Sequence, residues 1–218
     1  MKRTKNKIKY TIDTLPDPSY KLSDVINNHE FIVLVNDPSV CAWGFAVLNG
    51  KGDILDTGCI KTEGGGKKMR IRKGDDTIRR ISEIVERLKK VIEKYHVTYI
   101  ISELPHGSQN SSAAVMQGVV SGIAQTISIF TGLGIEWYSE GDSKKNLLGK
   151  ISASKFETMD AINKLYKVPI TKGISKNRKG QIVALWSGVE YIDEAVADAL
   201  SIHYVASKQS SILKMFNR

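Results

Sequence analysis

Cysteine, proline and aromatic side chains are scarce in this 218-residue chain, and long apolar runs are missing. Two cysteines, Cys41 and Cys59, cannot build a disulfide framework, nor a zinc site of their own. A reducing compartment is therefore expected. No window approaches 18 consecutive apolar residues, which argues against a membrane-spanning helix and a membrane partner. The opening MKRTKNKIKYTID is basic but has no apolar segment, so no signal peptide is expected and the cytoplasm is the expected location. Acidic residues are in deficit as well. There are 23 Asp and Glu against 32 Lys and Arg, a net charge of +9. That sign points to a polyanionic partner, nucleic acid before membrane. The glycine-rich stretch EGGGKKMRIRK (63–73) lacks the GxxxxGK[ST] spacing, which excludes a nucleotide P-loop.

What is present reads as one globular domain with a tail at each end. Residues 1–29 form a basic extension with five basic residues in the first ten and no sustained period. Apolar runs at 31–35 and 43–48 read as strands, and Asn49-Gly50-Lys51-Gly52 is turn chemistry before a third strand at 53–60. Ile78, Ile81, Ile84, Val85, Leu88, Val91, Ile92 and Tyr95 recur at three- and four-residue steps, so 76–95 reads as an amphipathic helix. Asp75 and Asp76 suit its positive N-terminal end. Strands follow at 97–101 and 135–139, and helices at 111–131, 152–166 and 193–207. Residues 172–188 read as a polar, basic loop or insertion. The order implies an α/β fold, a five-strand mixed sheet made of a three-strand antiparallel meander plus two parallel strands, flanked by helices. The domain is expected over 30–207, with a tail at 208–218.

The remaining acidic residues carry the chemistry. Asp37 ends the first strand and Glu103 the fourth, and the carboxyl ends of strands are where α/β sheets place their sites. Glu194 and Asp198 are four residues apart on the last helix and face the same way. Asp198 lies among Ala195, Val196, Ala197, Ala199 and Leu200, where an unpartnered charge would be costly. Converging carboxylates repel one another, and a hard divalent cation, Mg²⁺ or Mn²⁺, relieves the repulsion. Two such ions about 4 Å apart are the usual arrangement for displacement at a phosphodiester.

These residues resemble those of the RuvC-type Holliday junction resolvases of the ribonuclease H-like superfamily, over residues 30–206. Asp37-Pro38-Ser39-Val40-Cys41-Ala42-Trp43-Gly44-Phe45 is similar to the family's opening Asp-Pro-Gly segment with its later Gly and aromatic. Tyr99–Glu103 and the stretch from Asn110 to Ala124 resemble its second acidic strand and its Asn-containing loop and Ala/Gly-rich helix. Lys144-Lys145 and Ser152-Ala-Ser-Lys155 resemble its two lysine sites, and Ala197-Asp198-Ala199-Leu200 its closing motif. Ser39 replaces a usual Gly. The family's second helical carboxylate would fall at Ala195, for which Glu194 is the natural substitute and Asp193 the weaker one. His106 stands where an aromatic often wedges open the junction. Such departures suit a divergent, phage-encoded relative.

The resemblance implies a homodimeric, Mg²⁺-dependent endonuclease that resolves four-way DNA junctions by symmetric nicks with 5′-phosphates. Asp37, Glu103, Glu194 and Asp198 would be the catalytic carboxylates, binding two ions. Lys155 would act at the reacting phosphate. Lys144, Lys145, Lys150, His106 and Asn110 would contact DNA. The basic loop residues Lys67, Lys68, Arg70, Arg72 and Lys73 would bind duplex arms through phosphate contacts. A broader nuclease for flaps, forks and three-way junctions, a ribonuclease H, and a non-catalytic DNA-binding scaffold remain as alternatives. Gln209, Ile212 and Phe216 loosely resemble a sliding-clamp-binding peptide, but Ile212, Met215 and Phe216 also form a helical packing stripe, the preferred reading.

Overall fold

Alternation in the first strand, β1 (Ile32–Asp37), sets up two cores. In the computed structural model Phe31, Val33 and Val35 face one side of the sheet, and Ile32 and Leu34 the other, as a two-residue period requires. The structure describes residues 31–65, 71–166, 173–176, 182–186 and 194–216. β1 pairs antiparallel with β2 (Ala42–Asn49), and β2 antiparallel with β3 (Ile54–Lys61). On its other side β1 runs parallel to β4 (Tyr99–Leu104), and β4 parallel to β5 (Gly134–Ser139). The strand order is β3-β2-β1-β4-β5, the mixed sheet expected from the sequence.

Helices cover both faces. α1 (Lys73–Tyr95) and α2 (Ser111–Thr131) lay Ile84, Leu88, Val120 and Ala124 over Leu34, Trp43, Val47 and Ile100. The chain then forms α3 (Glu140–Leu148), which starts where β5 ends, and α4 (Lys155–Tyr166). α5 (Glu194–Gln209) crosses the opposite face and buries Val196, Leu200, Ile202 and Val205 completely. Burial of such side chains contributes roughly 1.5–3 kcal/mol each. α5 lies so close to β2 that a Cβ on Gly44 would overlap the backbone carbonyl of Ala195. Only a residue without a side chain permits that approach.

Several details depart from the sequence reading. β4 runs on to Leu104, so Glu103 lies within the strand. Ile78 is 63% exposed and outside the packing stripe of α1. α3 replaces an unassigned segment. Residues 173–176 and 182–186 pair as an antiparallel hairpin, β6 and β7, where a loop was expected, and β7 lies alongside α4. The basic extension 1–29 lies outside the described residues.

At the other end, α6 (Ser211–Phe216) follows α5 across Ser210. Leu213 is buried, and Phe216 stacks on Phe31 with ring centroids 3.8 Å apart. Ile212 and Phe216 pack against the core and are not free as clamp anchors, whereas Met215 is 51% exposed and lies off the expected packing stripe. Finally, α2 does have the length and hydropathy of a membrane span, although Ser, Gln and Thr interrupt it. The expectation that no helix would is corrected on that point. α2 packs on the sheet through Val120, Ala124 and Ser128.

Candidate active site

Strand parity brings the first two carboxylates together. Asn36 and Ser102 are register partners, so Asp37 and Glu103 stand one step further along adjacent parallel strands. Both share the parity of Val35 and Ile101, which face α5. Their neighbours turn the other way, and Asn36 accepts a hydrogen bond from the Trp43 indole N–H at 3.0 Å. α5 brings Glu194 and Asp198 over the same strand ends, and its register is fixed by the Gly44–Ala195 approach. Lys155 opens α4 and forms an ion pair with Glu194. A capping box formed by Ser154 and Glu157 fixes that helix start, with the Ser154 amide donating to Glu157 at 2.8 Å.

A fifth carboxylate, which sequence reasoning missed, completes the group. Glu140 is the first residue of α3, placed there by the Ser139 cap, whose hydroxyl accepts from the Asp142 amide. It forms an ion pair with Lys144 one turn later. The available signal was its position directly after a strand, followed by the Ser139-x-x-Asp142 pattern. Asp37, Glu103, Glu140, His106, Met116 and Gln117 line a cleft of about 280 Å³.

The electrostatics follow from burial and like charge. Burial first, then Asp198, Glu194 and Glu140, pushes the Asp37 carboxyl up to about 8. Burial, then Asp37, Asp198 and Glu140, takes Glu103 to about 9. Burial and Glu194 raise Asp198 to about 7. Lys144 and Lys155 pull the other way: Lys155 on Asp37 and Asp198, Lys144 on Glu103 and Asp198. Burial works against the Lys155 ammonium, but Glu194 more than compensates and its pKa lies above the ordinary value.

Among the described residues, no three His, Cys, Asp or Glu side chains already form a ligand cage. The donor chemistry nonetheless fits a hard divalent cation. All donors are carboxylate oxygens, and burial with mutual repulsion raises three of them well above the ordinary carboxylate range, a strain that a bound cation would relieve.

The expected DNA-contacting residues divide. Lys144 and Lys155 reach the carboxylates, and exposed His106 lines the cleft. Lys145 is exposed elsewhere on α3, and Lys150 is paired with Glu157. The Asn110 side chain caps α2, accepting from the Ala113 amide at 3.1 Å. Arg72 precedes α1, paired with Asp75 at 2.7 Å, and Lys73 is exposed beside it. Arg80, also missed, donates to the Val40 carbonyl at 3.1 Å and to the Thr62 hydroxyl at 2.8 Å, fastening α1 to the loop after Asp37. Lys67, Lys68, Arg70 and Asp193 lie outside the described residues.

Comparison with known proteins identifies the family and the fold. Residues 33–179 match the family described as crossover junction endodeoxyribonuclease RuvC. The RuvC of Methylococcus capsulatus is 26% identical over 132 residues, 60% of this chain and 74% of that protein. The RuvC of Methylobacillus flagellatus is 27% identical over 142 residues, 64% and 77% of the two chains. The solved Thermus thermophilus RuvC in complex with Holliday junction substrate superposes with a TM-score of 0.57 at 17% identity, covering 81% of this chain and 93% of that one. A second Thermus thermophilus RuvC structure gives 0.55 at 18% identity over 83% and 98%. The shared fold is the ribonuclease H-like one.

Proposed function

Because the chain belongs to the RuvC family of crossover junction endodeoxyribonucleases, we propose that it resolves four-way DNA junctions by hydrolysing one phosphodiester in each of two opposed strands. The observation that carries this reading is the convergence of Asp37 and Glu103, on adjacent parallel strands, with Asp198 on the helix crossing them. Carboxylates brought into such mutual repulsion either keep protons or gather cations, and hard divalent cations let all of them ionise together.

Asp37, Glu103, Glu194 and Asp198 would hold two divalent ions, Mg²⁺ or Mn²⁺, which when bound activate water and stabilise the leaving 3′-oxygen. The remaining work belongs to the chain. Lys155 leans over Glu194, where its ammonium can neutralise charge growing on the phosphate. Lys144 orients the backbone from the α3 side. His106, exposed at the cleft, offers a ring on which an unpaired base can stack. The nick would carry a 5′-phosphate.

Symmetric cutting needs two sites related by a two-fold axis. α2 offers the surface for a second copy. Val115, Ile129 and Phe130 on it are 64%, 70% and 86% exposed, and Gly118 and Gly122 open onto free space. An apolar helix face with small residues suits close helix-on-helix packing.

The test is cleavage of a synthetic four-way junction beside a linear duplex, a three-way junction, a flap and an RNA–DNA hybrid, with and without Mg²⁺. Metal-dependent, paired cuts in the four-way junction alone are expected. Equal cutting of flaps or hybrids would refute junction selectivity, and no cutting of any substrate would refute the enzymatic reading.

A further inference from the structure

Glu140 has no counterpart among the four carboxylates assigned to metal, yet it shares their cleft. Its position is dictated locally. β5 ends at Ser139, the Ser139 side chain caps α3, and Glu140 is the first helical residue. From there its carboxylate reaches one turn along the helix to the Lys144 ammonium. The exposures of the pair are unequal. The Lys144 side chain is 14% exposed and that of Glu140 44%. The lysine is therefore the inner member, and the glutamate holds it from the solvent side. Lys144 also acts on Glu103 and Asp198, so its ammonium faces the acidic group. A free lysine samples many rotamers, and a fixed hydrogen-bond partner removes much of that freedom before DNA arrives.

We propose that Glu140 is a positioning residue that holds the Lys144 ammonium toward the carboxylate group, where a DNA phosphate entering the site would meet it. This rests on the reading of Lys144 as a phosphate contact. One consequence runs against simple charge counting. Removing Glu140 makes the protein more positive, yet it weakens the use of a cationic contact.

The experiment compares Glu140→Ala, Glu140→Gln, Lys144→Ala, the Glu140→Ala/Lys144→Ala double variant and Asp142→Asn. Asp142 lies in the same helical turn, and Asn there gives the same charge change without touching Lys144 while its amide oxygen can still accept from the Ser139 hydroxyl that caps the helix. Binding of a synthetic four-way junction is measured in EDTA across a salt series, and cleavage is measured under single turnover at saturating junction and Mg²⁺. Lys144→Ala and Glu140→Ala should both flatten the salt dependence, by up to about 0.9 in log–log slope, and Asp142→Asn should not. Glu140→Ala should slow cleavage about tenfold to a hundredfold, the scale of a displaced catalytic partner. Glu140→Gln, which still accepts from the ammonium, should recover part of that loss. The double variant should cut no more slowly than Lys144→Ala alone. Tighter binding and undiminished cleavage in Glu140→Ala would overturn the proposal, leaving Glu140 as a charge that merely repels DNA. A further loss in the Lys144→Ala background would overturn it too, by showing that Glu140 acts independently. If Lys144→Ala itself changes neither slope nor rate, the proposal falls at its premise, an outcome distinct from failure at Glu140.

Discussion

Replacing Asp37 by Asn should make the metal-free protein more stable, by an amount that grows with pH. An Asp in an unfolded chain titrates near 3.9. In the fold, Asp37 keeps its proton up to about 8. Between those values the unfolded state binds fewer protons than the folded one, so stability falls as pH rises. The penalty is absent below about pH 4 and levels off above about pH 8. Four units at about 1.36 kcal/mol each set a ceiling of roughly 5–6 kcal/mol. Asp37 is only partly buried, and its titration is shared with Asp198 and Glu103, so about 2 kcal/mol is the working expectation. For a chain of this size that corresponds to about 4–8 °C in Tm. Asn keeps the shape and loses the charge. The assay is thermal unfolding of wild type and variant in EDTA, stepped from pH 5 to pH 9. The difference should be smallest at pH 5 and largest above pH 8. The same variant should lose junction cleavage on the order of 10³-fold while retaining binding. If Asp37→Asn is no more stable than wild type at pH 8.5, or its gain is flat with pH, the charge-burial argument is wrong.

Other consequences can be checked as directly. His203 is buried with its Nδ1 2.8 Å from the Tyr166 hydroxyl, and burial depresses it to about 4. The unfolded state then binds the extra proton first, so stability is lost as pH falls from about 6.5 to about 4, by at most about 3 kcal/mol. His203→Gln should flatten that limb in urea titrations, and an unchanged limb would refute the assignment. Gly44→Ala should cost about 1–3 kcal/mol by overpacking and should impair cleavage by shifting α5. Gly118→Ala, which meets open space within one subunit, should leave the monomer's stability unchanged or raise it by up to about 1 kcal/mol. Gly122→Leu should reduce dimer mass in sedimentation without lowering the Tm of the monomer. Glu194→Gln should damage catalysis far more than Asp193→Asn, and the reverse ranking would move the fourth ligand.

Asp37, Glu103 and Asp198 were legible in the sequence because each interrupts an apolar pattern, two at strand ends and one within a small-residue helix. A charge in such surroundings has to be explained. Glu140 was not legible, because α3 has no apolar period. Ser143 is its one buried residue, and only its caps, Ser139 and Gly149, mark it. The hairpin was missed for a different reason. The apolar run from Ile182 to Trp186 is a strand signal, but the polar, glycine-bearing residues around it dominated the reading. Asn110 shows how one residue type can carry two signals. Its resemblance to a DNA-contacting residue is real in sequence, while in the fold its side chain is engaged as a helix cap. Local hydrogen-bond demand at a helix start is satisfied by the same residue types that bind nucleic acid.

The backbone contact between Gly44 and Ala195 bears on how this chain could diverge. α5 takes registration from the sheet at this contact. The connection from Tyr166 to Glu194 is thus free to lengthen, and here it contains the β6–β7 hairpin. An insertion at that point changes what surrounds the chemistry while the spacing of Asp198 from Asp37 and Glu103 stays anchored elsewhere. Selection can therefore rework substrate contacts along this connection at little risk to the hydrolytic centre. Variation in length among relatives should concentrate there and be nearly absent between Asp37 and Gly44.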